Sequence, residues 1–143
     1  MPSVKAKWVK PARDVPFAEG ILVYNGTGSA IPADSLVMPA GAQGASLKVS
    51  LADASAAGTT KPALFVSKHG IPASSYGVVL PWKMVTFNTV GRAIGDSVFL
   101  SDTSGEFGFV AGTVSRVIGL VASVGATGKV WLAPTLMLGV TAI

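Results

Sequence analysis

GDSVFLSDTSGEFG, residues 95–108, is the stretch whose reading decides the fold class. Val98 and Leu100 alternate with Phe99 and Ser101, the period of two expected of a half-buried strand. Asp102, Thr103, Ser104 and Gly105 then supply turn chemistry: side chains that bond their own backbone, and a glycine free to adopt positive φ. Glu106-Phe107-Gly108 opens a second strand. Asp102 and Glu106 are two of only seven acids in 143 residues. Placed at a hairpin tip, they make the turn polar and discourage edge-to-edge pairing. The stretch reads as β-structure, with no group poised for catalysis.

Working outward, the same grammar recurs. ILVY (21–24) runs into Asn25-Gly26, a strong hairpin signal. AIPADSLVM (30–38) is an apolar run closed by Pro39 and Gly41. ASLKVSL (45–51) alternates, with Leu47, Val49 and Leu51 on one face. ADASAAGTTKP (52–62) reads as a loop or one weak helical turn, ALFVS (63–67) as a buried strand and KHGIPASSYG (68–77) as a turn region. VVLPWKMVTF (78–87) is a strand interrupted at Pro81, which places it at an edge or bulge. VSRVIGLVAS (114–123), KVWL (129–132) and a last strand or swapped segment in TLMLGVTAI (135–143) complete the list. Sustained 3.6-residue periodicity is missing. The expectation is an all-β chain, a compact barrel or sandwich of short strands. IPADSLVMPAGAQG (31–44) echoes AIGDSVFLSDTSGEFG (93–108), and ALFVSKHGIPASSYGVVLPW (63–82) echoes VIGLVASVGATGKVWLAP (117–134). These echoes suggest a duplicated β-unit, with sub-repeats at about 30–82 and 93–134 inside one β-rich domain spanning 20–143. In that alignment Asp34 and Asp96 are equivalent, each just ahead of a strand.

Charge is the unusual entry. Asp, Glu, Lys and Arg make up 13% of the chain, against about 25% in an ordinary soluble domain. A monomer needs a mixed, charged surface. A body this poor in charge implies surface covered by copies of itself or by a partner. No cysteine is present, which excludes disulfide scaffolds, thiol chemistry and Cys-containing zinc sites. The apolar C-terminal region is broken by Lys129 and Pro134, short of the roughly 18 apolar residues of a spanning helix. The basic N-terminus lacks the apolar core of a signal peptide.

Residues 1–14 stand apart. Lys5, Lys7, Lys10 and Arg13 precede the first acid, Asp14, and together equal the net charge of +4. Pro2, Pro11 and Pro16 disfavour a continuous helix. Val4, Trp8 and Val9 interleave with the bases. Residues 1–19 therefore read as an extended basic arm that precedes the β-domain.

Residues with catalytic potential are sparse and scattered. His69, the one histidine, sits in a KHGIP turn with no acid within ten residues. No GxSxG elbow occurs. NGTGSA (25–30) lacks the third glycine of a dinucleotide fingerprint and the GK[ST] of a P-loop. The expectation is a protein that is not an enzyme, with no cofactor, no metal, no direct nucleic-acid partner and no membrane partner.

GDSVFLSDTSGEFG, followed by RVIGLVAS and GKVWLAP, resembles a strand-and-turn pattern of small β-rich bacteriophage head proteins, above all the capsid decoration (cement) proteins. The likeness covers roughly residues 30–134. It implies a virion structural protein on the capsid exterior, bound to the major capsid protein as a homotrimer and reinforcing the shell. On that reading Val4, Lys5, Lys7, Trp8, Val9, Lys10 and Arg13 form a capsid-binding arm, the bases meeting acidic shell surface and the apolar residues filling gaps between capsomers. Two alternatives accompany it. One is a carbohydrate- or receptor-binding head-fibre or tail-associated domain using Trp82, Trp131 or Tyr76 as stacking platforms. The other is a hydrolase using His69.

Overall fold

The computed structural model describes residues 20–55 and 63–137. Ten strands and no helix make up the described chain: β1 (Ile21–Asn25), β2 (Leu36–Gln43), β3 (Ser46–Leu51), β4 (Phe65–Ser67), β5 (Tyr76–Leu80), β6 (Lys83–Phe87), β7 (Ser97–Leu100), β8 (Phe107–Gly108), β9 (Val117–Ser123) and β10 (Gly128–Leu132). The all-β expectation holds. The first five strands close into a barrel in the order β1-β3-β2-β4-β5; the other five form a second sheet in the order β6-β10-β9-β7-β8.

Alternation builds the barrel core. Val23, Val37, Val49 and Val79 point inward and meet Ile31 and Ile71, all fully buried. Leu47 and Leu51 flank Val49 on the same face of β3 and pack on this core, as the period of two requires. A second core lies between barrel and sheet: Leu36 and Val66 from the barrel against Val85, Val98, Leu100, Val121, Val130 and Leu132 from the sheet. Val98 and Leu100 are fully buried while Phe99 is half-buried, as their alternation indicates.

Three sequence expectations need correction. Asn25-Gly26 does not turn a hairpin, because β1 pairs parallel with β3 and antiparallel with β5. Asn25 instead is fully buried and organises the loop after β1. Its Nδ2 donates to the carbonyl oxygens of Ser29, Ile71 and Pro72 at 2.9–3.1 Å. Its Oδ1 accepts from the backbone N–H and the hydroxyl of Thr27. Second, 78–87 is two strands in two sheets. β5 belongs to the barrel and β6 to the edge of the second sheet, with Pro81-Trp82 as the crossover. Third, β2 runs past Pro39 and Gly41 to Gln43, accommodating them as a register shift against β3. In the C-terminal stretch, residues 134–137 form a turn, tied by a bond from the Thr135 hydroxyl to the Leu64 carbonyl. The rest of the expected last strand, 138–143, lies outside the described residues, as do 56–62 of the expected loop and the whole arm.

The structure also reveals an echo the sequence reading passed over. Ile31 and Ile71 exchange reciprocal backbone bonds, each 2.8 Å. Each opens an Ile-Pro-Ala turn whose next residue is left-handed, Asp34 (φ 61) or Ser74 (φ 52), two residues ahead of β2 or β5. Gly95 (φ 91) holds the same place two residues ahead of β7. The left-handed position, not the acid, is what repeats.

Replacing Asn25 by Ala leaves several buried polar groups without partners, a cost of about 2–3 kcal/mol. Urea denaturation of Asn25→Ala is expected to show that loss with an unchanged m-value.

Candidate docking surface

The stretch 101–106 is the joint between the two sheets. The Leu36 N–H donates to the Gly105 carbonyl, and the Gly105 N–H donates to the Ala52 carbonyl. Ala54 N–H donates to the Ser101 carbonyl, and Val114 N–H to Ala54. Gly105 (φ 79) lies so close to the barrel that an added Cβ would sit 2.7 Å from Leu51 Cδ2. The acids nearby are structural in their bonding. Asp102 accepts from the backbone N–H and hydroxyl of Thr113, both at 2.8 Å, which pins the loop after β8. Asp53 accepts from the Ser55 hydroxyl at 2.6 Å and the Ser55 N–H at 3.1 Å. The Ser104 hydroxyl reaches it from the hairpin at 3.4 Å.

Beyond the joint, the far end of the second sheet carries the most exposed large apolar side chains. Val110 is 76% exposed, Ile94 74% and Val90 64%. Their loops are fastened to one another. The fully buried Thr89 donates its hydroxyl to the Ser123 carbonyl (2.7 Å) and accepts the Gly125 N–H (3.0 Å). This ties the loop that bears Val90 to the loop that bears the half-exposed Val124. The Gly95 N–H donates to the Val121 carbonyl at 2.8 Å, fixing Ile94. The Arg92 guanidinium lies 4.5 Å over the Phe109 ring, and Phe109 stacks on Phe87, fixing the approach to Val110. Val90, Ile94 and Val110 thus stand exposed on bonded loops, a candidate surface for burial against another protein. The sequence reading passed over these residues, since a lone Val or Ile in a polar loop carries no periodicity.

The aromatic platforms fall on separate elements. Tyr76 on β5 stacks edge-on against Tyr24 of β1, centroids 5.1 Å apart. Trp82 stands in the crossover, 53% exposed, beside Leu136 in an apolar groove of about 300 Å³. Trp131 lies on the outer face of the second sheet, opposite Met84 and Leu120. His69 sits on an exposed turn with Nδ1 2.8 Å from the Gly70 carbonyl oxygen. Among the described residues no three His, Asp or Glu side chains gather in a metal-holding group. The arm residues Val4, Lys5, Lys7, Trp8, Val9, Lys10 and Arg13 lie outside the described residues. Comparisons with protein-family models, curated proteins and solved structures return no match.

The bonds from Ser55 hold the Asp53 carboxyl below its ordinary pKa, with a smaller contribution from Ser104 and partial opposition from burial. The stabilisation from this group is fully present above the unfolded carboxylate value, near pH 4, and is lost as pH falls through the lowered native value. Asp53→Asn is therefore expected to be less stable than the parent at pH 7. Below about pH 4 the difference narrows, as thermal melts at a series of pH values will show.

Proposed function

We propose that this chain is a non-catalytic virion structural protein that binds the outer surface of a phage capsid and stabilises it, a decoration or cement protein acting as a trimer. The observation that carries the reading is the set of exposed apolar side chains Val90, Ile94 and Val110 on bonded loops, in a chain with 13% charged residues. Burying these side chains against a shell protein is worth about 1–2 kcal/mol each. The strength of such a contact depends on pre-ordered loops, because ordering mobile side chains at an interface costs free energy. The outer face of the second sheet, with Met84, Leu120 and Trp131 in a cross-strand row, is the surface on which copies would meet. A trimer engaging several equivalent sites gains avidity without strong single contacts. The basic arm, Lys5 to Arg13, adds attraction to acidic shell surface.

The exposed Trp82 in its apolar groove favours a second reading, a carbohydrate- or receptor-binding virion domain, since a half-exposed indole is a stacking surface. Glycan binding that quenches Trp fluorescence and disappears in Trp82→Ala would favour it over the cement role.

Co-sedimentation with DNA-free capsids of the source particle tests the primary reading. Saturable binding is expected for the intact chain, with at least a tenfold loss for the double variant Ile94→Glu, Val110→Glu. Both positions are exposed, and such substitutions leave stability within about 0.5 kcal/mol. Absence of binding by the intact chain would overturn the cement role.

A further inference from the structure

The second sheet has the barrel's own connectivity with one pair missing. In the barrel β1 pairs with β5, β5 with β4, β4 with β2 and β2 with β3, all antiparallel, and a parallel β1–β3 pair closes the ring. Five strands on, β6 pairs with β10, β10 with β9, β9 with β7 and β7 with β8, again all antiparallel. The parallel β6–β8 pair that would close this second ring is not made, so β6 and β8 stand as its edges. The strand ends agree as well. Asn25, fully buried at the end of β1, fastens to the segment between β4 and β5: its N–H donates to the Ser75 carbonyl at 2.8 Å, and its Nδ2 to those of Ile71 and Pro72. Thr89, fully buried just past β6, fastens to the segment between β9 and β10: its N–H donates to the Gly125 carbonyl at 2.9 Å, and its hydroxyl to that of Ser123.

The difference lies in the closing strand. β3 has six residues and sets Leu47, Val49 and Leu51 on the barrel core. β8 has two. Ring contacts of Phe87 with Phe107 and Phe109 reach across from β6, where the barrel has a ladder. The Gly26 N–H, next after Asn25, crosses to the Val49 carbonyl of β3 at 3.1 Å. The Val90 N–H, next after Thr89, turns back to the Asn88 side chain at 3.1 Å.

β6 is therefore a five-residue strand in unbroken register with β10, its only strand partner among the described residues. It carries none of the usual protections of an edge. No proline or bulge interrupts it, and its one charge, Lys83, is turned to Asp34 and to the Ser67 and Lys68 carbonyls. Met84, Thr86 and Phe87 are exposed along it. An unprotected edge is a template for a further strand. The barrel shows which kind of strand fits this connectivity: one parallel to β6, with apolar residues at alternate positions on the core side, as β3 lies beside β1.

We propose that the open edge of β6 is a strand-acceptor site whose occupant is an extended segment of a partner protein, parallel to β6 and alternating apolar and polar residues as β3 does. Main-chain bonds give such a contact its strength, and the alternate side chains give it selectivity. The site goes beyond the capsid reading and does not rest on it, since that reading uses the loops bearing Val90, Ile94 and Val110.

Amide hydrogen exchange of the intact ¹⁵N-labelled chain, read by NMR with and without a capped peptide of the β3 sequence ASLKVSL (45–51), tests this. In the isolated chain the outward amides of β6 are expected to exchange about tenfold faster than those of β10, which is paired on both sides. Saturating peptide should slow them by about the same factor. A peptide with proline in place of the central valine should have no effect, because it cannot complete the ladder. Thr86→Lys places a free charge on the edge and should weaken peptide binding several-fold, with circular dichroism unchanged because the side chain is exposed. Slow exchange in β6 without peptide that persists on dilution overturns the proposal, since the chain then covers its own edge. Slow exchange that dilution abolishes also overturns it, by making the occupant a second copy. Protection that appears in β1 and not in β6 overturns it too, since the peptide has then replaced β3 in the barrel, as does a peptide that leaves β6 exchange unchanged. Capsid co-sedimentation reads the loops rather than this edge, so failure of either reading is seen separately from failure of the other.

Discussion

The structure turns on the backbone bonds that seat the 101–106 hairpin against the barrel, Leu36 to Gly105, Gly105 to Ala52 and Ala54 to Ser101. A five-stranded barrel of this size has a small core of its own, six fully buried side chains. Most of the remaining buried apolar area lies between barrel and sheet. That interface forms only when the β7–β8 turn reaches across and satisfies polar backbone groups at the ends of β2 and β3. An unsatisfied buried N–H or C=O there would cost as much as several apolar contacts contribute. Gly105 is essential to the seat, since its positive φ and the nearness of Leu51 leave no room for a side chain.

From this joint the placement of polar and apolar surface follows. The hairpin that locks the two sheets also brings Glu106 and Ser104 up to Asp34 and Phe87, forming a cleft. At the other end of β7, loops project beyond the sheet. These loops are held by Thr89, by the Gly95–Val121 bond and by Arg92 over Phe109, and they present Val90, Ile94 and Val110 outward. Phe87 links the two places, since it lines the cleft and also packs on Phe109, next to Val110.

Much of this was legible in the chain. Alternation located β3 and β7 and oriented Val98 and Leu100 inward, and apolar runs bounded by turn signals located β1, β9 and β10. Turn chemistry located the 102–105 tip, but Asp102, expected to bond its own turn, bonds Thr113 eleven residues on, and the tip is seated on the barrel. The partnering of strands was not legible. Asn25-Gly26 carries the local signal of a hairpin, yet the buried amide is consumed by carbonyls of Ile71 and Pro72, 46 and 47 residues away. Pro81 signalled an interruption, but nothing local says that the chain leaves one sheet for another there. The repeated Ile-Pro-Ala at 31–33 and 71–73 was visible as letters. Its meaning, a reciprocal pair of bonds at the barrel's seam, needed both copies in space.

The sequence by itself determined the class of structure and the economy of charge. Period-two alternation, β-branched residues and glycine-bearing turns are local properties, and they specify strands regardless of partner. The scarcity of acids and the separate basic segment are likewise fixed by composition. Tertiary structure decided which strands are neighbours, which acids meet and which apolar residues stay outside. Those depend on closing the barrel through a parallel β1–β3 pair and on docking a hairpin some fifty residues downstream against it (Ala52 to Gly105). Such non-local contacts are selected by the free energy of burying one shared core, and no stretch of a dozen residues encodes it.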